Sequence, residues 1–303
     1  VDPIEKKPLH HFLPGTPTLS FGTAGCNLTC RFCQNWSISK ARETEALSDA
    51  ASPETIAAAA EELGCRSVSF TYNDPVVFLE WAVDVARACR ERGIRTVAVT
   101  AGYVEPEPRA ELFRWMDAAN VDLKAFSEGF YRRMATGSLA PVLDTLRWIR
   151  RETDVWLEIT TLLIPGENDG DREIEALSRW VADELGADVP LHLTAFHPAW
   201  RLTDRKPTPP STLSRARLIA HRAGLRYVYT GNVVDPEGAA TRCHACGRLL
   251  VARRGYEVIA WSLRPGGRCP CCGAPCPGVW EDRPGSWGGR RTPIRLEAAG
   301  AQA

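Results

Sequence analysis

The run Gly25-Cys26-Asn27-Leu28-Thr29-Cys30-Arg31-Phe32-Cys33-Gln34-Asn35-Trp36 sets three cysteines in a C-x3-C-x2-C spacing just after a β-like segment, Thr18-Leu19-Ser20-Phe21-Gly22-Thr23. Three thiolates hold three irons of a cubane [4Fe-4S] cluster and leave the fourth open, because full protein ligation of such a cluster takes four cysteines. Structural zinc is the competing use of a cysteine loop. It needs a fourth protein ligand to close its tetrahedron, and no cysteine or histidine follows Cys33 until Cys65. Gly25 and the aromatic-rich continuation suit a loop wrapped around a bulky cofactor.

Outward from this loop, β-branched runs alternate with segments of helical period. Strands are expected at 67–73, 96–102, 119–125, 155–164, 189–196 and 226–230, and helices at 75–92, 106–118, 140–152, 171–185 and 212–223. With the segment at 18–23 that makes about seven strands joined by crossover helices, which implies right-handed βαβ units and a barrel-like parallel sheet. In such sheets functional residues sit at the C-terminal strand ends. The polar clusters there are Thr71 to Pro75, Thr100 to Tyr103, Asp122 to Lys124, Pro165 to Asp169, His192 with Thr194 and His197-Pro198, and Thr230 to Asn232. They should converge opposite the cysteine loop.

The cysteine spacing resembles the signature of the radical S-adenosylmethionine (SAM) superfamily. The resemblance implies that SAM takes the open iron and is cleaved to methionine and a 5′-deoxyadenosyl radical, with Phe32 against the adenine. Six further stretches carry a closer likeness: Val1 to Pro17, Cys33-Gln34-Asn35-Trp36, Tyr72-Asn73 with an acid and Pro75, Val121-Asp122-Leu123-Lys124, Thr194 to Pro198, and Tyr229-Thr230-Gly231-Asn232. Together they are similar to the radical SAM component of the AmmeMemoRadiSam system, within the group related to pyruvate formate-lyase-activating enzymes.

That likeness implies that Asn73 and Asp74 bind the SAM amino group, that Asp122 and Lys124 face SAM, and that Ile164, Gly166, Asn168 and Asp169 place backbone near adenine and ribose. Asp74 stands where relatives usually have Glu, and Ala101 where they commonly have Asn. Lys124 reads as a paired, half-buried lysine, and His197 as a wall of the substrate pocket, because Pro198 and a polar loop follow it. Relatives generally carry a further cysteine-containing segment ahead of the Val1 stretch, so the likeness does not extend to activities that need it. Partners implied are an electron donor such as flavodoxin or ferredoxin, and a Memo-like or AMMECR-like protein. The substrate stays open, a glycyl-radical enzyme being one alternative.

A second pattern lies near the C-terminus, where Cys243, Cys246, Cys269 and Cys272 form two C-x2-C knuckles around a hairpin-like stretch from Arg248 to Ser262. Four thiolates close a tetrahedron in the manner of a zinc ribbon or rubredoxin, and that geometry accepts zinc or iron. Cys271 and Cys276 are spare ligands. The fold expected is α/β: a partial (β/α)6-type radical SAM barrel with a small C-terminal zinc-ribbon or rubredoxin-like module. Its divisions are an N-terminal extension at 1–17, the barrel at 18–236, the ribbon at 237–282 and a flexible tail at 283–303.

Composition narrows the classes further. The 303 residues carry no formal net charge, but ten arginines against five acids from Glu237 onward leave that third at +5 and the rest at −5. A nucleic-acid- or protein-binding module built on this basic third, with a non-catalytic cluster, is the rival reading. Lysine is used only five times against thirty-two arginines. Eleven cysteines without a signal peptide read as metal ligands in a reducing compartment, so the cytoplasm is expected. No apolar stretch is long enough for a membrane span.

Overall fold

In the computed structural model, which describes residues 1–41 and 51–296, eight strands form one sheet in sequence order. They are β1 (Asp2–Pro3), β2 (Pro17–Phe21), β3 (Ser67–Phe70), β4 (Arg95–Thr100), β5 (Ala118–Asp122), β6 (Trp156–Leu163), β7 (Leu191–Ala195) and β8 (Val228–Gly231). Pairing from β2 to β8 is parallel throughout, and only β1 runs antiparallel, on β2. The outer strands β1 and β8 do not pair, so the sheet is a half-barrel rather than a closed ring.

Strands buried on both faces are the rule when crossover helices cover a parallel sheet. All residues of β3 and β7 are buried accordingly. The helices are α1 (Trp36–Ser39), α2 (Pro53–Glu62), α3 (Leu79–Glu91), α4 (Pro106–Phe113), α5 (Glu128–Phe130), α6 (Ala140–Glu152), α7 (Asp171–Trp180) and α8 (Pro210–Arg222). Proline opens α2, α4 and α8, where its missing N–H costs nothing. α3 ends at Gly93, whose φ of +68° is the left-handed stop that the sequence signals.

Below the strands' N-terminal halves the chain's first sixteen residues fill the half-barrel. Glu158 on β6, fully buried, accepts hydrogen bonds from the backbone N–H of His10 (3.0 Å) and His11 (2.8 Å) and from the Trp156 indole (2.9 Å), and pairs with His192 Nε2 at 2.6 Å. Asn120 on β5 donates to the Pro8 carbonyl. The stretch read as an extension therefore plugs the sheet, the backbone groups of Pro8, His10 and His11 satisfied by inward polar residues of β5 and β6.

The ribbon is a second, three-stranded antiparallel sheet of β9 (Thr241–Arg242), β10 (Leu249–Arg254) and β11 (Glu257–Trp261) in the order β11-β10-β9. It is tied to the plug by Arg253, fully buried, which donates to the His10 carbonyl (2.6 Å) and to Thr241 Oγ1 (2.9 Å) and lies 3.9 Å from Glu5. Burial pushes the Glu5 carboxyl up to about 7, with Arg253 pulling against it.

The segment read as a flexible tail runs along the plug over its described part, residues 283–296. Gly285 N–H donates to the Pro14 carbonyl, Trp287 N–H to Gly15 and Thr292 N–H to Val1, while Trp287, Ile294 and Leu296 pack on the core. Gly15 and Gly285 approach so closely that a Cβ on either would overlap the other's backbone. Residues 297–303 lie outside the described residues.

Candidate active site and metal centre

The cysteine loop is fixed by backbone bonds to one element distant in sequence and to the helix that follows it. Thr29 and Arg31 N–H donate to the carbonyls of Ala135 and Met134 in the π-helical turn that continues α5, and Gly25 N–H donates to Ile38 in α1. Lys40 Nζ donates to the Leu28 carbonyl at 2.6 Å. Leu28 and Phe32 are the buried anchors, Phe32 packing 5.7 Å from the Phe130 ring. Cys26, Cys30 and Cys33 stay half-buried and face a cavity of about 490 Å³ at the C-terminal strand ends.

Asn73 acts on the loop's entry. Its Nδ2 donates to the Gly25 carbonyl at 2.7 Å and its Oδ1 accepts from Thr23 N–H at 3.1 Å. Gly22 passes so close that a Cβ there would collide with Asn73 Oδ1 and the Thr71 carbonyl. Asp74 is consumed differently: buried at the end of β3, it accepts from Thr100 Oγ1 (2.9 Å), Ala101 N–H (2.8 Å) and Val76 N–H (3.2 Å). Burial raises its pKa against those hydrogen bonds. Asn73 and Asp74 line the cavity while bracing the loop and the end of β4.

Lys124 Nζ bonds Asp122 Oδ2 at 2.8 Å, and both line the same cavity. Burial works against the ammonium, but Asp122 and nearby Cys30 outweigh it and raise its pKa. Burial likewise pushes the Cys30 thiol up to about 11, with Lys124 pulling it down. The site thus sets a cation beside the thiols.

Three residues expected here lie elsewhere. His197 is exposed and absent from the cavity lining. β7 stops at Ala195, and His197 lies two residues past its end, on the opposite parity from the cavity-lining Thr194. The Asn168 side chain is spent inside its own turn, donating to the Lys124 and Leu162 carbonyls and accepting from Ile164 N–H. Gly166, at φ +75°, is exposed at the crest of that turn.

The sequence reading missed Lys6, Lys7, Tyr256 and Arg291, which also line the cavity. One signal for the lysines was present. In a chain with five lysines, three line this cavity and a fourth holds the cysteine loop. A larger cavity of about 930 Å³ opens among Arg90, Arg95, Arg114 and Trp148, near the start of β4. It contains none of the cysteines or strand-end motifs, so the smaller cavity is the chemical one.

The ribbon cysteines behave as a separate centre. The sulfurs of Cys243, Cys246, Cys269 and Cys272 all lie within 4.8 Å of one another. Each knuckle ends in a glycine with positive φ, Gly247 and Gly273, whose N–H closes the turn on the Cys243 or Cys269 carbonyl. Of the spare ligands, Cys271 is exposed, whereas Cys276 is buried with Tyr227 and Tyr229. The four-sulfur group suits one metal ion of tetrahedral preference.

A half-barrel with a three-cysteine loop over its strand-end cavity defines an enzyme that works through a metal cofactor. Residues 21–177 match the Radical SAM superfamily. The chain is 40% identical to an uncharacterized protein of Methanocaldococcus jannaschii, over 90% of this chain and 81% of that one. It is 21% identical to the pyruvate formate-lyase 1-activating enzyme of Escherichia coli K12, over 71% of this chain and 93% of that one. Among solved structures, a radical SAM methyltransferase from Sphaerobacter thermophilus shares the fold at TM-score 0.55 and 18% identity, covering 78% of this chain and 71% of that one. SuiB of Streptococcus suis bound to S-adenosylmethionine does so at TM-score 0.55 and 15% identity, covering 75% of this chain and 52% of that one.

The chain belongs to the radical SAM superfamily and is a SAM-dependent enzyme related to pyruvate formate-lyase-activating enzymes. The family implies a [4Fe-4S] cluster and SAM as cofactors. Among the described residues, no helix is long and apolar enough to cross a membrane.

Proposed function

We propose that Cys26, Cys30 and Cys33 hold the cluster, that SAM binds beside it against Lys124 and Asp122, and that a hydrogen atom is taken from a substrate in the same cavity. The observation that carries this reading is the meeting of three half-buried thiols with the Lys124–Asp122 pair and Asn73 around one space of about 490 Å³. When bound, the reduced cluster supplies the electron that cleaves SAM to methionine and a 5′-deoxyadenosyl radical.

The protein's own share is positional. Asn73 and Gly22 hold the loop entry, and the π-helical turn holds its middle. Asp74 fixes the end of β4. Lys124 offers a cation and Asp122 an acceptor to the polar ends of SAM. Phe32 gives the adenine an apolar surface.

The motif likeness supports placing this enzyme with the AmmeMemoRadiSam radical component, with a flavodoxin or ferredoxin as reductant and a Memo-like or AMMECR-like protein as partner. A glycyl-radical activase is the second reading, favoured by the match to the E. coli activating enzyme. We assign zinc to the ribbon as a structural ion, since structural zinc is the commoner use of two C-x2-C knuckles around a hairpin.

The test is anaerobic reconstitution with iron and sulfide, reduction with dithionite and assay of 5′-deoxyadenosine from SAM. Native protein should form the product and Cys30→Ala should not. Product from both, or a native chain that assembles no cluster, would overturn the assignment.

A further inference from the structure

Tyr72 is the centre of a group of cavity residues that the proposed SAM site does not use. Its φ of +74° is rare for a residue with a side chain, and such strain gathers where a side chain must be aimed. Its hydroxyl donates to Asp2 at 2.6 Å, and Lys7 and Lys6 lie 4.6 and 5.5 Å from its ring centre. Arg291 lines the same cavity as this phenol. It stands beside β1 because Thr292 N–H bonds the Val1 carbonyl at 2.9 Å. Tyr256 reaches the lining from the two-residue turn between β10 and β11, where Gly255, at φ +59°, takes the position a II′ turn reserves for glycine.

The charges here do not cancel. Asp2 is shared by Lys6 (2.9 Å) and Lys7 (2.7 Å), and Arg291 forms no ion pair among the described residues. Three cations thus face one carboxylate. The acids that line the cavity are committed, Asp74 to Thr100, Ala101 and Val76, and Asp122 to Lys124. Burial pushes the Lys7 ammonium down to about 8 even with Asp2 beside it. A half-enclosed cationic cavity gains by taking up an anion.

We propose that this part of the cavity binds an anionic group of the substrate, a carboxylate or a phosphate, paired with Arg291 and Lys6 and contacted by Tyr72 and Tyr256. The proposal rests on the radical reading of the cavity. The ribbon and the C-terminal segment then complete the substrate pocket, one through Tyr256 and the other through Arg291.

Full-length protein, reconstituted anaerobically and saturated with SAM, is titrated calorimetrically with inorganic phosphate and, separately, with succinate. Native protein should bind at least one anion saturably. Arg291→Gln and Lys6→Gln should each weaken it about tenfold or more, with much of the loss restored in Arg291→Lys. No saturable binding of either anion, or equal binding by native and Arg291→Gln, overturns the proposal. So does a parallel tenfold loss of SAM affinity in Arg291→Gln, because the cations would then hold the carboxylate of SAM itself. SAM cleavage by native protein is scored separately. Anion binding without cleavage sinks the radical reading and leaves the anion site standing, whereas cleavage without anion binding does the reverse.

Discussion

Cys26, Cys30 and Cys33 stand half-buried on a cavity wall, whereas Cys243, Cys246, Cys269 and Cys272 gather four sulfurs within 4.8 Å of one another. The loop owes its shape to distant partners, the π-helical turn and Asn73, and its thiols open onto Lys124 and the strand ends. Each ribbon knuckle closes on itself through a glycine turn, and its sulfurs complete a set without help from the barrel. The same residue type is thus committed to two ends: an open ligand set where something must still bind, and a closed one where a hairpin must be held.

The sharpest way to break this contrast is to delete one sulfur from each site. Cys30→Ala should abolish 5′-deoxyadenosine formation, whereas Cys246→Ala should lose the ribbon ion and keep the iron of the loop, read by metal analysis of both proteins. A joint loss of both metals in either variant would mean that the two sites form one unit.

The next largest effect concerns the tie between them. Arg253→Met leaves Glu5 buried without its nearest cation and strips donors from the His10 carbonyl, which should cost about 3–5 kcal/mol in urea unfolding. A loss below about 1 kcal/mol would mean that the ribbon is merely appended.

Within the open site, Lys124→Met should weaken SAM binding about tenfold while leaving cluster assembly intact, measured by equilibrium binding to reconstituted protein. Unchanged affinity would reduce the Lys124–Asp122 pair to a structural role.

The smallest effect is on pH and belongs to the plug. Burial holds His11 down to about 4 and His10 well below its usual value, despite Glu158 facing His11. Between pH 6.5 and 4 the unfolded chain therefore binds more protons at these histidines, and stability falls as pH falls. Glu5, pushed up to about 7, works the other way between 4.5 and 7, since its folded form holds the extra proton. The net expectation is a loss of about 1 kcal/mol between pH 6.5 and 5.5. Chemical denaturation should show this loss flattened in His11→Gln and steepened in Glu5→Gln.

Much of this architecture was legible because its signals are local. Buried β-branched runs separated by helical periods gave the seven parallel strands, and cysteine spacing located both sulfur sites. The plug was not legible: β1 has two residues, and the buried polar groups of His10, His11 and Glu5 find most of their partners, among them Glu158, Tyr229, Pro277 and Arg253, far away in sequence. Tyr256 and Arg291 reach the cavity from a hairpin tip and a coil segment, where no period exists to read. His197 was read from the proline and polar loop that follow it, which say nothing of where the side chain stands, and it is exposed outside the cavity lining; the Asn168 side chain is committed to its own turn.

The central claim, that the three-cysteine loop and not the ribbon is where SAM meets iron, is tested most directly by electron paramagnetic resonance of dithionite-reduced protein with and without SAM. The account predicts a cluster signal that SAM shifts in native protein, that persists and still shifts in Cys246→Ala, and that is missing in Cys30→Ala. A signal indifferent to SAM, or one that survives Cys30→Ala and vanishes in Cys246→Ala, would contradict it.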